Sequence, residues 1–252
     1  MRIFDTHAHY DDDAFDSDRD EVISSLPSFG VELVMNVGCD LESSKKAAIL
    51  AEKYPFMHAS AGIHPHEAAK VPSDWEKELT ELLALSPAVG EIGLDYHYDF
   101  SPREVQREIF DAQLSIAQRL DLPVIIHQRE STADTLDILS AHKGLRGVVH
   151  CFSGSLDTAK TLLSLGYHLG FGGALTFKNA LKAPEVMEYM PEDRILFETD
   201  CPYMTPVPYR GKRNFSGYVP LVVLRAAEIR RTDPEALSLS ALENGRSLFF
   251  SK

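Results

Sequence analysis

Short apolar runs alternate along the whole chain with longer amphipathic stretches. Eight runs have the length and β-branched content of buried strands: residues 2–6, 31–37, 57–62, 88–94, 122–127, 147–151, 167–172 and 194–198. Between them the apolar positions recur at helical spacing over residues 18–28, 41–53, 74–85, 102–120, 131–142, 155–165 and 179–189. Start signals support several of these helices, among them Ser73-Asp74 and a Pro102 placed to open a first turn after Ser101. A polar loop follows the last strand, and two more helices are expected at 220–230 and 234–250.

Eight strands joined by seven helical crossovers, with a helix after the last, are the parts of a (β/α)8 TIM barrel. The length of 252 residues agrees with the ~250 such a barrel usually takes, and a single barrel domain over 1–252 is the expectation. A doubly wound open sheet is the alternative. The turn after the first strand lacks the glycine pattern of a dinucleotide site, and no phosphate-binding P-loop occurs.

Composition narrows the class. With 44% hydrophobic and 25% charged residues, the chain can bury a sizeable core. A formal charge of -13 argues against non-specific adhesion to polyanions, but a nucleic-acid enzyme can overcome it locally with metal ions and a basic patch. Cys39, Cys151 and Cys201 are too few and too far apart for a disulfide framework, so a reducing, cytoplasmic setting is expected. No apolar run approaches the ~20 residues of a membrane span, and the N-terminus lacks the pattern of a secretory signal. The expected state is a monomer or weak oligomer without membrane partners.

The chemistry gathers at the ends of the strands. In Asp5-Thr6-His7-Ala8-His9, an extended backbone sets His7 and His9 side by side, able to grip one ion. His64 and His66 follow the third strand, Glu91 lies in the fourth, His127 ends the fifth, His150 the sixth and Asp200 the eighth. Each has an ordinary reading: His127 as a hydrogen-bonded core residue, Glu91 as a turn carboxylate, Asp200 as a cap, with Asp95 and Tyr96 equally ambiguous. Together they converge on the C-terminal mouth of a barrel, and burying them without partners would cost several kcal/mol each. Four imidazoles and two carboxylates exceed the needs of one tetrahedral ion. They suit two ions sharing a carboxylate, with the central Glu91 as the bridge. Two ions ~3.5–4 Å apart can hold a hydroxide and neutralise charge on an in-line displacement at phosphorus. So many imidazoles favour zinc, manganese or nickel over magnesium.

Asp5-Thr6-His7-Ala8-His9, Gly62-Ile63-His64-Pro65-His66, Gly90-Glu91-Ile92-Gly93-Leu94-Asp95-Tyr96, His150-Cys151-Phe152-Ser153-Gly154, the stretch 198–206 and Arg210-Gly211-Lys212-Arg213-Asn214 occur in that order over nearly the whole chain. Jointly they resemble the TatD family of metal-dependent deoxyribonucleases, a branch of the amidohydrolase superfamily. The resemblance implies one site from His7, His9, Glu91 and Asp200 and a second from Glu91, His127 and His150. It also implies Asp200 as proton acceptor, His64 as a phosphate contact that does not ligate metal, magnesium as the usual ion, and DNA digested from the 3′ end. After Asp200, the loop carrying Tyr203, Arg210 and Arg213, with Tyr218 nearby, is a candidate phosphate cradle with stacking tyrosines.

Two departures stand out. Where the family continues from the basic run into Asn-Glu-Pro, this chain has Asn214-Phe215-Ser216-Gly217; its Asn-Thr near the C-terminus appears as Asn244-Gly245, a packing difference. Two other functions compete. An esterase or lactonase of the same superfamily would often carry a lysine bridge, where strand four offers Glu91. A non-catalytic metal-binding scaffold would have no use for a base such as Asp200.

Overall fold

The computed structural model describes residues 1–251. The chain begins with β1 (Ile3–Ala8), α1 (Arg19–Ser25), β2 (Val31–Val37), α2 (Leu41–Lys53), β3 (Met57–Ser60) and α3 (Trp75–Leu83). It continues through β4 (Val89–Asp95), α4 (Arg103–Leu120), β5 (Val124–Arg129), α5 (Thr132–Ala141), β6 (Gly147–Val149) and α6 (Leu156–Ser164). The last elements are β7 (His168–Phe171), α7 (Lys182–Tyr189), β8 (Ile195–Phe197), α8 (Val219–Arg230) and α9 (Pro234–Phe250).

All strands pair in parallel, in two sheets of order β1-β2-β3 and β4-β5-β6-β7-β8. Single parallel bridges link the sheets on both sides, Ala61 with Val89 and Ala8 with Cys201. The architecture is therefore a (β/α)8 barrel whose hydrogen-bonded ladder thins to one bridge at each of two seams. A small core cluster takes Phe4, Met35 and Val37, Ile125, Val148 and Leu196 from five of the strands and packs them against Leu242, Leu248 and Phe249 of α9. The larger cluster lies between the strands and the surrounding helices.

Local chemistry explains where elements start and stop. α2 opens on a capping box: Ser43 N donates to Asp40 Oδ1 at 2.7 Å, and Asp40 N donates to Ser43 Oγ at 2.9 Å. The helix expected over 18–28 ends early as α1, because Pro27 can donate no helical hydrogen bond. Leu26–Phe29 instead forms a 3-10 turn closed by Gly30 at φ +81°. α7 starts three residues later than expected, which leaves Pro184 in a first turn, where its missing N–H costs nothing. Ser101 does not cap α4. Its hydroxyl donates to His66 O and accepts from Ala69 N, both at 3.0 Å, and so ties the loop after β3 to the start of α4.

The Asn244-Gly245 departure is indeed a matter of packing. Asn244 Nδ2 donates to Glu192 O and Ile195 O, fastening α9 to β8. A Cβ on Gly245 would come within 2.6 Å of the Phe4 ring, so the bare backbone is what admits a phenylalanine at position 4. Gly245→Thr is expected to lower stability by about 1–3 kcal/mol through overpacking. Adding Phe4→Leu should recover part of that loss, read as the shift in urea midpoint at unchanged slope.

Candidate metal centre

Side chains from six of the eight strands or the loops that follow them meet at the C-terminal end of the barrel. His7 lies in the last turn of pleat of β1 and His9 just beyond it; both are buried. Opposite them is Glu91, 3% exposed in the middle of β4. Its two oxygens face different partners. Oε2 lies 3.3 Å from His7 Nε2 and 3.7 Å from His9 Nε2, while Oε1 lies 2.8 Å from His150 Nε2 and 2.9 Å from His127 Nδ1. Asp200 Oδ1 closes the first group at 3.4 Å from His9 Nε2 and 3.7 Å from His7 Nε2.

The strand ends needed adjustment. His127 was expected to end the fifth strand, but β5 runs two residues further and the imidazole projects from within it. His150 and Asp200 lie beyond the short β6 and β8. A clasp between β1 and the chain after β8 sets Asp200 beside the histidine pair. Asp200 N donates to His7 O and His9 N donates to Cys201 O, both at 2.9 Å. Behind the clasp, buried Asp5 accepts from Thr199 N at 3.0 Å and Thr199 Oγ1 at 2.7 Å. Burial pushes the Asp5 carboxyl up to about 7, against the pull of these hydrogen bonds.

Outer partners decide which face each imidazole shows the centre. His9 Nδ1 donates to Val37 O at 2.8 Å, which leaves the Nε2 lone pair pointing inward. His127 Nε2 donates to Asp95 Oδ2 at 3.1 Å, leaving Nδ1 inward. His150 Nδ1 lies 3.5 Å from buried Glu198, with Nε2 inward. His64 is turned the other way. Its Nδ1 accepts from His66 N at 3.2 Å, so the proton sits on the Nε2 that faces Glu91 Oε1 at 3.6 Å. Burial, then the neighbouring imidazoles, hold His64 well below the usual histidine range and so neutral.

Burial opposes ionisation of Glu91, yet His150, His64 and His7 around it keep its carboxyl well below the usual range. Asp200 is likewise held down, against burial, by His9 and then His150. Burial opposes protonation of His150, but Glu91 and Glu198 raise it well above the ordinary value. His7, with burial and His150 against it, is lowered. Its ring stacks on His150 at 3.9 Å, and its Nε2 lies only 3.0 Å from that of His9. Nitrogens crowded in this way, with carboxylates interleaved, are a donor set for cations. Two overlapping groups, His7–His9–Glu91 and His7–His150–Asp200, bring possible ligand atoms within 4.8 Å of one another; Glu91 and His127 lie equally close to His64, whose proton-bearing nitrogen faces them. The residues fit divalent metal.

Asp95 and Glu198 are the partners that sequence reasoning left without a role. Asp95 accepts from His66 Nε2 and His127 Nε2 on one oxygen and from His97 N and Tyr98 N on the other. Burial opposes its ionisation, but His127, the Tyr98 N–H and His66 hold the carboxyl far below the usual range. A signal existed: Glu91, Gly93 and Asp95 share one face of the strand by the two-residue period. Cys39 was also passed over, and its thiol approaches Glu91 Oε2 at 3.7 Å.

The loop after Asp200 divides its cations. Arg213 departs from the expected phosphate contact, because its guanidinium already forks onto both oxygens of Asp18 at 2.8 and 2.6 Å and donates to Ala14 O. Arg210 makes no ion pair among the described residues and lies over the Phe177 ring at 3.7 Å. Tyr203, exposed, donates to Asp12 Oδ2 at 2.8 Å, and Tyr218 stacks on Tyr209 at 4.6 Å. Phe215, standing where the family has an acid, packs edge-on to Phe29 and Tyr218, and Asn214 Nδ2 donates to Thr199 O and Tyr203 O. Aromatic packing orders the segment that lost its carboxylate.

The family model described as TatD related DNase matches residues 4–250. The chain belongs to the TatD family. Among its relatives, the metal-dependent hydrolase YabD of Bacillus subtilis is 40% identical, with 98% of each chain covered. The 3′-5′ ssDNA/RNA exonuclease TatD of Pectobacterium parmentieri is 32% identical over 98% of this chain and 99% of its own. The solved TatD homologue YjjV of Escherichia coli superposes with a TM-score of 0.93 at 33% identity, covering 98% of both chains. This TatD-family protein is a metal-dependent hydrolase, and no described helix is long and apolar enough to cross a membrane.

If Asp95 orients His127, Asp95→Asn should weaken metal retention roughly 10–100-fold, as loss of an outer partner does. Competition with a chelator reads this directly. Unchanged retention would reduce Asp95 to a loop brace.

Proposed function

We propose that this TatD-family hydrolase cleaves phosphodiester bonds in single-stranded DNA, working from the 3′ end with two divalent ions. The observation that carries the reading is the division of Glu91: Oε2 faces His7 and His9, Oε1 faces His127 and His150. A carboxylate so placed is suited to bridge one ion held with His7, His9 and Asp200 and another held with His127 and His150. Relatives named as 3′-5′ ssDNA/RNA exonucleases support the substrate and direction. Magnesium is the ion expected from the family, and the imidazole-rich set also suits manganese or zinc.

When bound, the metals supply Lewis-acid stabilisation of the phosphoryl oxygens and lower the pKa of the attacking water. The protein's own groups do the rest. Asp200 is ionised and has the more open of the two carboxylates, with its side chain 19% exposed against 4% for Glu91. It is therefore placed to accept the proton from the nucleophilic water. His64, neutral with its proton on Nε2, donates a hydrogen bond to the phosphate; with Nδ1 engaged by His66 N, it has no inward lone pair to offer a metal. Arg210 and Tyr203 meet the strand as it leaves the centre. The free cysteines suit a cytoplasmic setting.

His150→Ala should lower bound metal towards half and nearly abolish turnover, whereas His64→Ala should keep its metal and lose rate. Elemental analysis beside a labelled-oligonucleotide assay separates the two, and loss of metal from His64→Ala would make that residue a ligand. Asp200→Asn should lose more rate than His64→Ala, since it removes a charge from the site as well as the base.

The two arginines should now behave differently. Arg210→Ala is expected to raise the KM for DNA and flatten the log–log salt slope by about 0.7, the effect of one phosphate contact on a single strand. Arg213→Ala should leave that slope unchanged and lower the melting temperature instead, because its partner is Asp18. An unaltered slope in both variants would put the strand elsewhere on the surface.

A further inference from the structure

Beside the metal centre two large aromatic side chains stand in solvent. Tyr98 and Phe100, in the loop between β4 and α4, are 48% and 66% exposed. Their rings stack at 5.3 Å with planes 18° apart. Exposed aromatics normally cost solubility, and a stacked pair has no core to serve here. The pair is connected to the centre by rings in contact. Phe100 meets His66 at 4.8 Å, and His66 meets His64 at 4.3 Å. Arg129, the last residue of β5, lays its guanidinium over Tyr98 at 4.8 Å.

The charges around this surface are sorted. Glu130 is paired with His97 Nδ1 at 2.8 Å, and Asp99 is forked by Arg103. Arg129 makes no ion pair among the described residues and is exposed. A flat apolar face next to a free, planar cation matches one repeating chemical unit, an unpaired base with its phosphate.

We infer that Tyr98 and Phe100 form a stacking platform for an unpaired base of the strand undergoing cleavage, with Arg129 meeting the adjoining phosphate. The inference rests on the nucleic-acid reading above and adds the element that selects unpaired bases. A base in a duplex has both faces covered, so only an unstacked nucleotide can use the platform. These are positioning residues, one imidazole removed from His64, and they act on the placement of the strand without touching the reacting phosphorus.

The test compares two oligodeoxynucleotides with metal-loaded enzyme: a normal single strand, and the same strand with tetrahydrofuran abasic residues at its 3′ end. The unaltered protein should lose roughly ten-fold in kcat/KM on the abasic strand, as expected for one stacked base. Tyr98→Ala with Phe100→Ala should lose a similar factor on the normal strand and then treat both strands alike. Phe100→Trp should preserve the preference for the normal strand. Arg129→Ala should slow both strands and flatten the salt slope by about 0.7. Equal cleavage of the two strands by the unaltered protein would overturn the platform while leaving the nuclease reading intact. So would a double variant that slows both strands equally, which would make the rings a support for His66. If the unaltered protein cleaves neither strand yet turns over bis(p-nitrophenyl) phosphate, the nuclease reading itself falls and the platform with it.

Discussion

The carboxylate of Glu91 is the point on which the centre depends. It is buried in a barrel where an isolated charge would be strongly disfavoured, and it stays ionised because imidazoles from β1, β5 and the chain after β6 surround it. The dependence is mutual. Those imidazoles approach one another as closely as 3.0 Å and would repel if protonated together; the carboxylate between them is what lets them coexist. Such a cluster is costly as a structural core, since each polar group must be desolvated and His7 Nδ1 and His150 Nδ1 are left without a hydrogen-bond partner. Its free energy returns when a cation enters.

Around that carboxylate, contacts made on the far side of several rings set the chemistry of the near side. Hydrogen bonds to Val37 O and Asp95 turn the opposite nitrogens of His9 and His127 inward, and the Glu198 carboxylate lies 3.5 Å from the outer nitrogen of His150. The backbone N–H of His66 does the opposite to His64. Histidines that look interchangeable along the chain are thereby set apart: His9 and His127 face the centre with the nitrogen opposite an outer acceptor, His64 with the nitrogen opposite an outer donor. The clasp between β1 and the chain after β8 gives the same precision to Asp200. It lies at a seam of the barrel where only one strand bridge remains, so Asp5 and Thr199 hold what the ladder does not.

On the proposed nucleic-acid reading, the acidic chain would meet a polyanion through a few cations left unpaired near the mouth. Most surface arginines and lysines are spent on carboxylates, as Arg213 is on Asp18 and Arg103 on Asp99. Arg210 and Arg129 each lie instead against an aromatic ring. A guanidinium held by a ring is positioned without being neutralised, and its edge remains free for phosphate. On that reading, the net charge of -13 would repel nucleic acid except where these groups and bound metals attract it.

Periodicity was enough to reveal the eight strands, the barrel and the order in which the ligands arrive, because a two-residue or 3.6-residue repeat is a local property of the chain. β2, α2 and α9 match their expected limits residue for residue. At the end of α1 a proline and a glycine moved the boundary, Pro27 and Gly30. The convergence of His7, His9, Glu91, His127, His150 and Asp200 was also legible, since strand ends in a barrel share one mouth. What tertiary structure decided were the partners at long sequence separation. Asp95 against His66 and His127, Asp18 against Arg213, and Tyr98 beside Arg129 are contacts between different loops, and no local pattern encodes them. Whether an arginine is left free or braces a loop depends on the carboxylate folded against it, and only the folded chain brings that carboxylate into reach.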